Sequence, residues 1–397
     1  MKGALSLPFL RLYLLTLLYF SANSILNVII PLKGDSLGAT NTTIGVVMGA
    51  YLLTTMVFRP WAGQVIQRYG PIKVLRVILV INGLALLIYT FAGLEGYFFA
   101  RVLQGVCTAF FSMSLQLGII EELPEKERSE GISMYSLCAS MPGVFGPLLA
   151  VGMWRVEDID YFAMAMIGIA VLTGITGFST KVGQKEAEMA KKEQSSGTRM
   201  LSSYGQLIKN PHLFRCSVIM FAASLVFGAV TTFIPLYAGQ IHNGSAAIFL
   251  MLQAGTIVIT RFALRKRIPS DGKWHTSFMM GIMLILAIGA ECISLSNVAG
   301  ALLFYVGAFF LGVAQALIYP TLTTYLSFVL PQVNRNILIG LFIAMADLGV
   351  SMGGVLLGPI ADLFSYSTMY MICSILAALM LIFVFKRRQA SDESILS

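Results

Sequence analysis

Gly63-Gln64-Val65-Ile66-Gln67-Arg68-Tyr69-Gly70-Pro71-Ile72-Lys73 lies between two apolar runs, each long enough to cross a bilayer. At its simplest it is a basic, glycine-containing turn that keeps two helix ends on one side of a membrane. Everything around it is consistent with that setting.

Only 12% of the 397 residues are charged, against 57% hydrophobic, and the mean hydropathy is +0.81. A water-soluble chain carries about 25% charged residues, so this composition places the chain in a membrane. The net charge of +8 does not point to nucleic acid, because the basic residues gather in every second loop. All five cysteines (Cys107, Cys138, Cys216, Cys292 and Cys373) fall inside apolar runs. They read as small buried thiols rather than a disulfide framework. His212, His242 and His275 are too dispersed for a metal site, and no cofactor is implied. The apolar stretch after Met1 is too long for a signal-peptide core and lacks a small-x-small cleavage site.

Twelve runs of roughly 20 apolar residues follow one another, over 9–32, 43–66, 74–91, 97–121, 130–152, 161–179, 216–237, 245–264, 276–296, 298–325, 336–360 and 366–386. Arg68, Lys73, Arg76, Lys126, Arg128, Arg265, Lys266, Arg267, Lys273, Arg335, Lys386, Arg387 and Arg388 all fall on one side. By the positive-inside rule that side is cytoplasmic, and both termini lie there. The other side holds Lys33 and Arg155, the latter beside Glu157, Asp158 and Asp160. The expected organisation is a six-helix bundle over 1–180, a polar cytoplasmic loop over 181–215, a second six-helix bundle over 216–388 and a tail over 389–397. The charged loop reads as a solvated linker that can include an interfacial helix.

The two halves repeat each other. Arg59 to Gly70 is matched by Arg261 to Gly272, and Ile30-Pro31-Leu32 by Ile234-Pro235-Leu236. Gly105-Val106, Ala109 and Leu123-Pro124 return at the same spacing as Gly312-Val313, Ala316 and Leu330-Pro331, and Gly146-Pro147 returns as Gly358-Pro359. A duplication of this kind predicts two bundles related by a pseudo-twofold axis around a polar cavity near the midplane.

Three segments carry a family resemblance. The opening loop resembles the G-x-x-x-D-R-x-G-x-x-K signature of the major facilitator superfamily, with Gly63, Arg68 and Gly70 in place and Gln67 where that family has Asp. The resemblance implies an all-helical transporter fold, while Gln67 puts the family's cytoplasmic charge relay in doubt. Arg101 through Ala109 resembles the family's R-x-x-Q-G-x-x-x-A motif. Pro142 through Pro147 resembles the G-x-x-x-G-P-x-x-G motif of its exporters, with the first Gly displaced by one and Ala150 in place of the last. Gly146 and Pro147 imply close helix approach and a kink. At a finer level Phe58–Gln64, Arg101–Gly118, Pro269–His275 and Tyr319–Pro331 resemble staphylopine-type metallophore exporters. That likeness implies outward transport of an opine bearing several carboxylates and amines.

The buried polar residues are few. Arg101, Gln104 and Thr108 share one helix face. An intramembrane Arg marks a cavity or a partner, or else snorkels to the headgroups from a helix end. Asn23 and Asn27 lie four apart and face the same way, and Arg59 precedes Pro60. In the second half Gln253, Gln315, Tyr319 and Asp347 lie within their spans; such amides either contact substrate or bridge helices. Asp347, near the middle of its span, is either paired with a cation or a proton-binding group.

Arg59, Arg101, Asn23, Asn27 and Gln104 offer cationic and amide donors, with no acid in the interiors of the first six spans. That set suits carboxylates, so the expected activity is export of a small anionic or zwitterionic metabolite. No nucleotide-binding G-x-x-x-x-G-K-[ST] loop is present, and proton antiport by a monomer is the expected mode. A multidrug efflux pump of the same superfamily is the alternative within transport. A non-transporting receptor or scaffold is the alternative outside it. An enzyme is not expected, for no nucleophile–base pair or metal cluster is visible.

Overall fold

Tyr69 ends one helix and Pro71 begins the next, with Gly70 between them at φ 84°. That φ suits glycine, and a proline in the first turn of a helix gives up no hydrogen bond. The computed structural model describes residues 5–155, 159–180, 210–264, 267–269, 271–331 and 335–385. Of the central loop expected over 181–215, residues 181–209 lie outside the described ones, while 211–215 already belong to the helix that begins at Pro211 and Asn210 caps it; the tail over 389–397 lies outside the described residues.

Among these residues the chain is helical throughout. The helices are α1 (Leu7–Ser36), α2 (Asn41–Tyr69), α3 (Pro71–Phe91), α4 (Leu94–Glu122), α5 (Glu125–Ser140), α6 (Pro142–Arg155) and α7 (Ile159–Phe178). They continue with α8 (Pro211–Tyr237), α9 (Ala246–Leu264), α10 (Thr276–Ala299), α11 (Ala301–Val329), α12 (Arg335–Leu363) and α13 (Tyr366–Phe385). Twelve stretches of these helices are long and apolar enough to cross a membrane, which matches the twelve expected spans. The fifth span differs in detail, because it divides into α5 and α6 at Met141–Pro142. Pro142 has no N–H to donate to the preceding turn; separately, its carbonyl accepts the Ser24 hydroxyl at 2.8 Å.

Large apolar side chains remain on the outside, among them Phe91 at 85% exposure and Val298 at 93%. In water such surfaces would associate; in a bilayer they meet lipid.

Two compact units form, one from Met1–Ile30 and Ala50–Ser202, the other from Pro31–Gly49 and Ser203–Ser397. In the first, Leu12, Leu15 and Tyr19 of α1 join Ile66 of α2, Leu75 of α3, Phe111 and Leu115 of α4 and Tyr135 of α5 in one core. Here α3 packs on α4 and α7. In the second unit α8 is buried over most of its length, as a helix apolar all round must be. It packs chiefly on α12, while α10 packs on α11 and α13 and α9 on α11. Asn210 caps α8, its side chain accepting from the N–H groups of His212 and Leu213.

Candidate functional site

Gly105 on α4 decides how closely α2 and α4 approach. A Cβ there would lie 2.3 Å from the Tyr51 carbonyl oxygen, so only glycine admits α2 at this distance. Thr55 Oγ1 then donates to the Gly105 carbonyl at 3.0 Å, tying the two helices one turn further on. This approach brings the Tyr51 ring beside Arg101.

Arg101 is fully buried. One terminal nitrogen donates to Asn23 Oδ1 at 2.6 Å and the other to Asn27 Oδ1 at 2.8 Å. Its Cζ lies 5.2 Å from the Tyr51 ring centroid. Burying a cation is costly unless it is hydrogen-bonded. Each charge-assisted bond returns about 1.5–3 kcal/mol and a desolvated cation–π contact about 2 kcal/mol. The carboxamides orient the guanidinium without cancelling its charge, because an amide oxygen carries none.

A second polar layer supports the first. Thr108 Oγ1 shares hydrogen bonds with Tyr19 at 2.9 Å and Tyr51 at 3.0 Å. Tyr19 is in turn stacked on Phe111, with centroids 3.8 Å apart and planes within 10°. Tyr89 donates to Gln104 Oε1 at 2.8 Å. Arg101, Gln104 and Thr108 therefore do share a face, and each makes hydrogen bonds to a neighbouring helix. Snorkelling to the headgroups is excluded by the burial of Arg101.

The remaining predicted residues lie elsewhere. Arg59 is half-buried on α2 and acts electrostatically on Tyr135 of α5. In the second unit Gln253 Nε2 donates to Gln315 Oε1 at 3.0 Å, so these two amides bridge α9 and α11. Tyr319 packs on Phe342, with ring centroids 6.0 Å apart. Asp347 is half-buried on α12, five residues beyond Phe342. Arg261, the repeat partner of Arg59, acts on Tyr319 as Arg59 does on Tyr135. Gly63 has open space beside it, whereas a Cβ on Gly146 would strike Ser24 Oγ at 2.3 Å. Gly146 thus serves close approach, and Pro147 lies in the same helix, α6. Arg68 is exposed at the end of α2, over the Tyr69 ring; the side chain of Gln67 lies outside the described ones. Among the described residues no group of three or more His, Cys, Asp or Glu could hold a metal ion.

Sequence reasoning did not single out Tyr19, Tyr51 or Tyr89. Their signal was a hydroxyl-bearing ring inside an apolar run, which packing alone does not require.

The family model described as Major Facilitator Superfamily matches residues 12–268 and 270–396. The chain belongs to that superfamily. The expected all-helical, twelve-span fold is therefore established, and the chain is a multi-pass membrane protein of a transporter family, not of an enzyme family. It is 54% identical over 388 residues, 98% of each chain, to the staphylopine export protein of Staphylococcus aureus (strain Mu50). It is 24% identical over 298 residues, 72% of each chain, to multidrug resistance protein 2 of Bacillus subtilis (strain 168). Among solved structures the nucleoside transporter NupG superposes with a TM-score of 0.76 at 13% identity, covering 96% of this chain and 99% of that one. At such low identity this last likeness speaks to the fold alone.

Proposed function

We propose that this superfamily member exports a small metabolite bearing several carboxylates, a staphylopine-like metallophore, across the cell membrane in exchange for protons. The observation that carries the substrate class is Arg101, buried and aimed by Asn23, Asn27 and Tyr51. A guanidinium presents its N–H donors in a planar fork. The fork matches a carboxylate in geometry as well as charge. The identity of 54% to a relative named for staphylopine export supports both the direction and the ligand.

In this reading the chain works as a monomer with both termini in the cytoplasm, as its loop charges indicate. Arg101 receives a substrate carboxylate, and Tyr51 and Thr108 hold the guanidinium in register. Asp347 is the group that takes up and releases the coupling proton.

The test is metabolite profiling of a deletion strain, inside and outside the cell, with and without metal starvation. The expected result is an opine that accumulates inside and disappears outside, restored by the wild-type gene and not by Arg101→Lys. Unchanged opine levels together with new sensitivity to lipophilic cations would overturn this reading and favour drug efflux, the activity in the name of the B. subtilis relative.

A further inference from the structure

The repeat seen in the sequence extends to the contacts between helices. A Cβ on Gly312 of α11 would lie 2.8 Å from the Gln253 carbonyl oxygen of α9 and 2.7 Å from the Thr256 Cβ. A Cβ on Gly105 would meet the Tyr51 carbonyl oxygen and Thr54 in the same way. Tyr51 and Gln253 each precede the repeated arginines, Arg59 and Arg261, by eight residues, and Thr108 and Gln315 each follow the repeated glycines by three. The pairing across the helices is repeated too. Where Tyr51 meets Thr108 through its hydroxyl, Gln253 Nε2 donates to Gln315 Oε1 at 3.0 Å. The charge is not repeated: the position that corresponds to Arg101 holds Ala308, fully buried.

A carboxamide has one carbonyl oxygen and one NH2 group. The bond between the two glutamines engages the NH2 of one and the carbonyl of the other. It leaves the Gln253 carbonyl and the Gln315 NH2, and neither makes a hydrogen bond among the described residues. Reversing both amides would leave the same two kinds of group, since one amide must donate and the other accept. Gln253 is only 6% exposed, so a carbonyl there is unfavourable without a partner. Gln315 is half-buried, and lipid does not account for its exposure. Six residues separate it from the exposed Phe309, which at about 100° each sets it roughly 120° around α11. Tyr319, Thr323 and Ser327 follow Gln315 at four-residue intervals, all half-buried. A polar stripe therefore runs along α11 from its C-terminal end to Gln315. It stops there, because Leu311 and Ala308 beyond are fully buried. The two unused amide groups stand at its closed end.

We infer that Gln253 and Gln315 set substrate specificity in the second unit by holding an ammonium beside a carboxylate, the ammonium on the unused carbonyl oxygen and the carboxylate on the unused NH2. A neutral pair with one acceptor and one donor group matches that zwitterion, as the Arg101 fork matches a lone carboxylate. A lone carboxylate would leave the carbonyl unmet, and a lone ammonium would leave the NH2 unmet. The inference deepens the export reading above and rests on it.

Counterflow in proteoliposomes of the full-length protein tests it without a proton gradient. One radiolabelled probe is N-(1-carboxyethyl)alanine, an opine with a secondary ammonium between two carboxylates. The other is 2,4-dimethylglutarate, which has carbon in place of that nitrogen. Wild type should show a KM for the opine about tenfold below that for the dicarboxylate, as for one charge-assisted bond. Gln253→Leu combined with Gln315→Leu removes both amides together and leaves no orphaned partner; it should carry the two probes with equal KM. Gln315→Glu keeps the helix bridge, since Gln253 still donates to it, and should widen the preference for the opine. A double variant that keeps the wild-type preference, or loses both probes to the same extent, would make the pair a helix bridge and overturn the inference. So would a wild type that carries both probes alike. A wild type that carries neither would overturn the opine reading itself, and this inference with it.

Discussion

The guanidinium carbon of Arg101 lies 5.2 Å from the centre of the Tyr51 ring, so a charge on α4 rests on an aromatic face of α2. Asn23 and Asn27 hold the same guanidinium at its two terminal nitrogens. Lysine has no planar fork and no second terminal nitrogen. Arg101→Lys should therefore lose at least about tenfold in export, the value of one such bond, while membrane insertion and abundance stay normal. Arg101→Ala should abolish export. Near-normal efflux by the lysine variant, measured as extracellular opine per cell, would reduce Arg101 to a point charge.

Much of this arrangement was legible in the sequence. Positions 23 and 27 fall four apart, and 101, 104 and 108 follow the helical period, so each set had to share a face. That the two faces meet could not be read, because it depends on how α1 and α4 pack. Tyr51 was hidden for a related reason. A tyrosine in an apolar run looks like core, and only the Gly105 contact brings its ring to Arg101. The break at Pro142 was obscured by the uninterrupted hydropathy of 130–152.

The ring and the hydroxyl of Tyr51 have separable tasks. Tyr51→Phe keeps the cation–π face and loses the bond to Thr108, worth about 1 kcal/mol. It should lower export by no more than about fivefold. Tyr51→Leu removes the face as well, worth about 2 kcal/mol when desolvated, and should be clearly the weaker transporter. Initial export rates of the two variants at matched expression decide the order. If both fall equally, the hydroxyl rather than the ring matters.

Asp362 of α12 caps the first turn of α2 within the second unit. Its carboxylate accepts from the N–H groups of Asn41 at 2.8 Å and Thr42 at 2.9 Å, and from the Thr42 hydroxyl at 2.6 Å. A carboxylate at a helix N-terminus satisfies orphan donors and meets the positive end of the dipole. Asp362→Ala should cost about 1 kcal/mol of stability and lower the thermal midpoint of the purified protein. Asp362→Asn keeps an acceptor oxygen and should fall between wild type and Ala. Coincident melting curves for all three would show that the cap contributes nothing.

The last expectation concerns energy coupling. Driving a multiply charged metabolite out against its gradient needs a power source, and the sequence holds no nucleotide-binding loop. A proton gradient then requires a group that exchanges a proton within the membrane. Asp347 is the group proposed for this: a carboxyl in the middle of α12, half-buried rather than sealed in the core. An asparagine there keeps the size and the hydrogen-bonding oxygen but cannot exchange a proton. Asp347→Asn should therefore slow uphill export in energised vesicles severely, yet leave substrate-for-substrate exchange near the wild-type rate, since exchange moves no net proton. Equal loss of both activities would make Asp347 a substrate or packing residue. Uphill export that survives an uncoupler in the wild type would show that protons are not the driver.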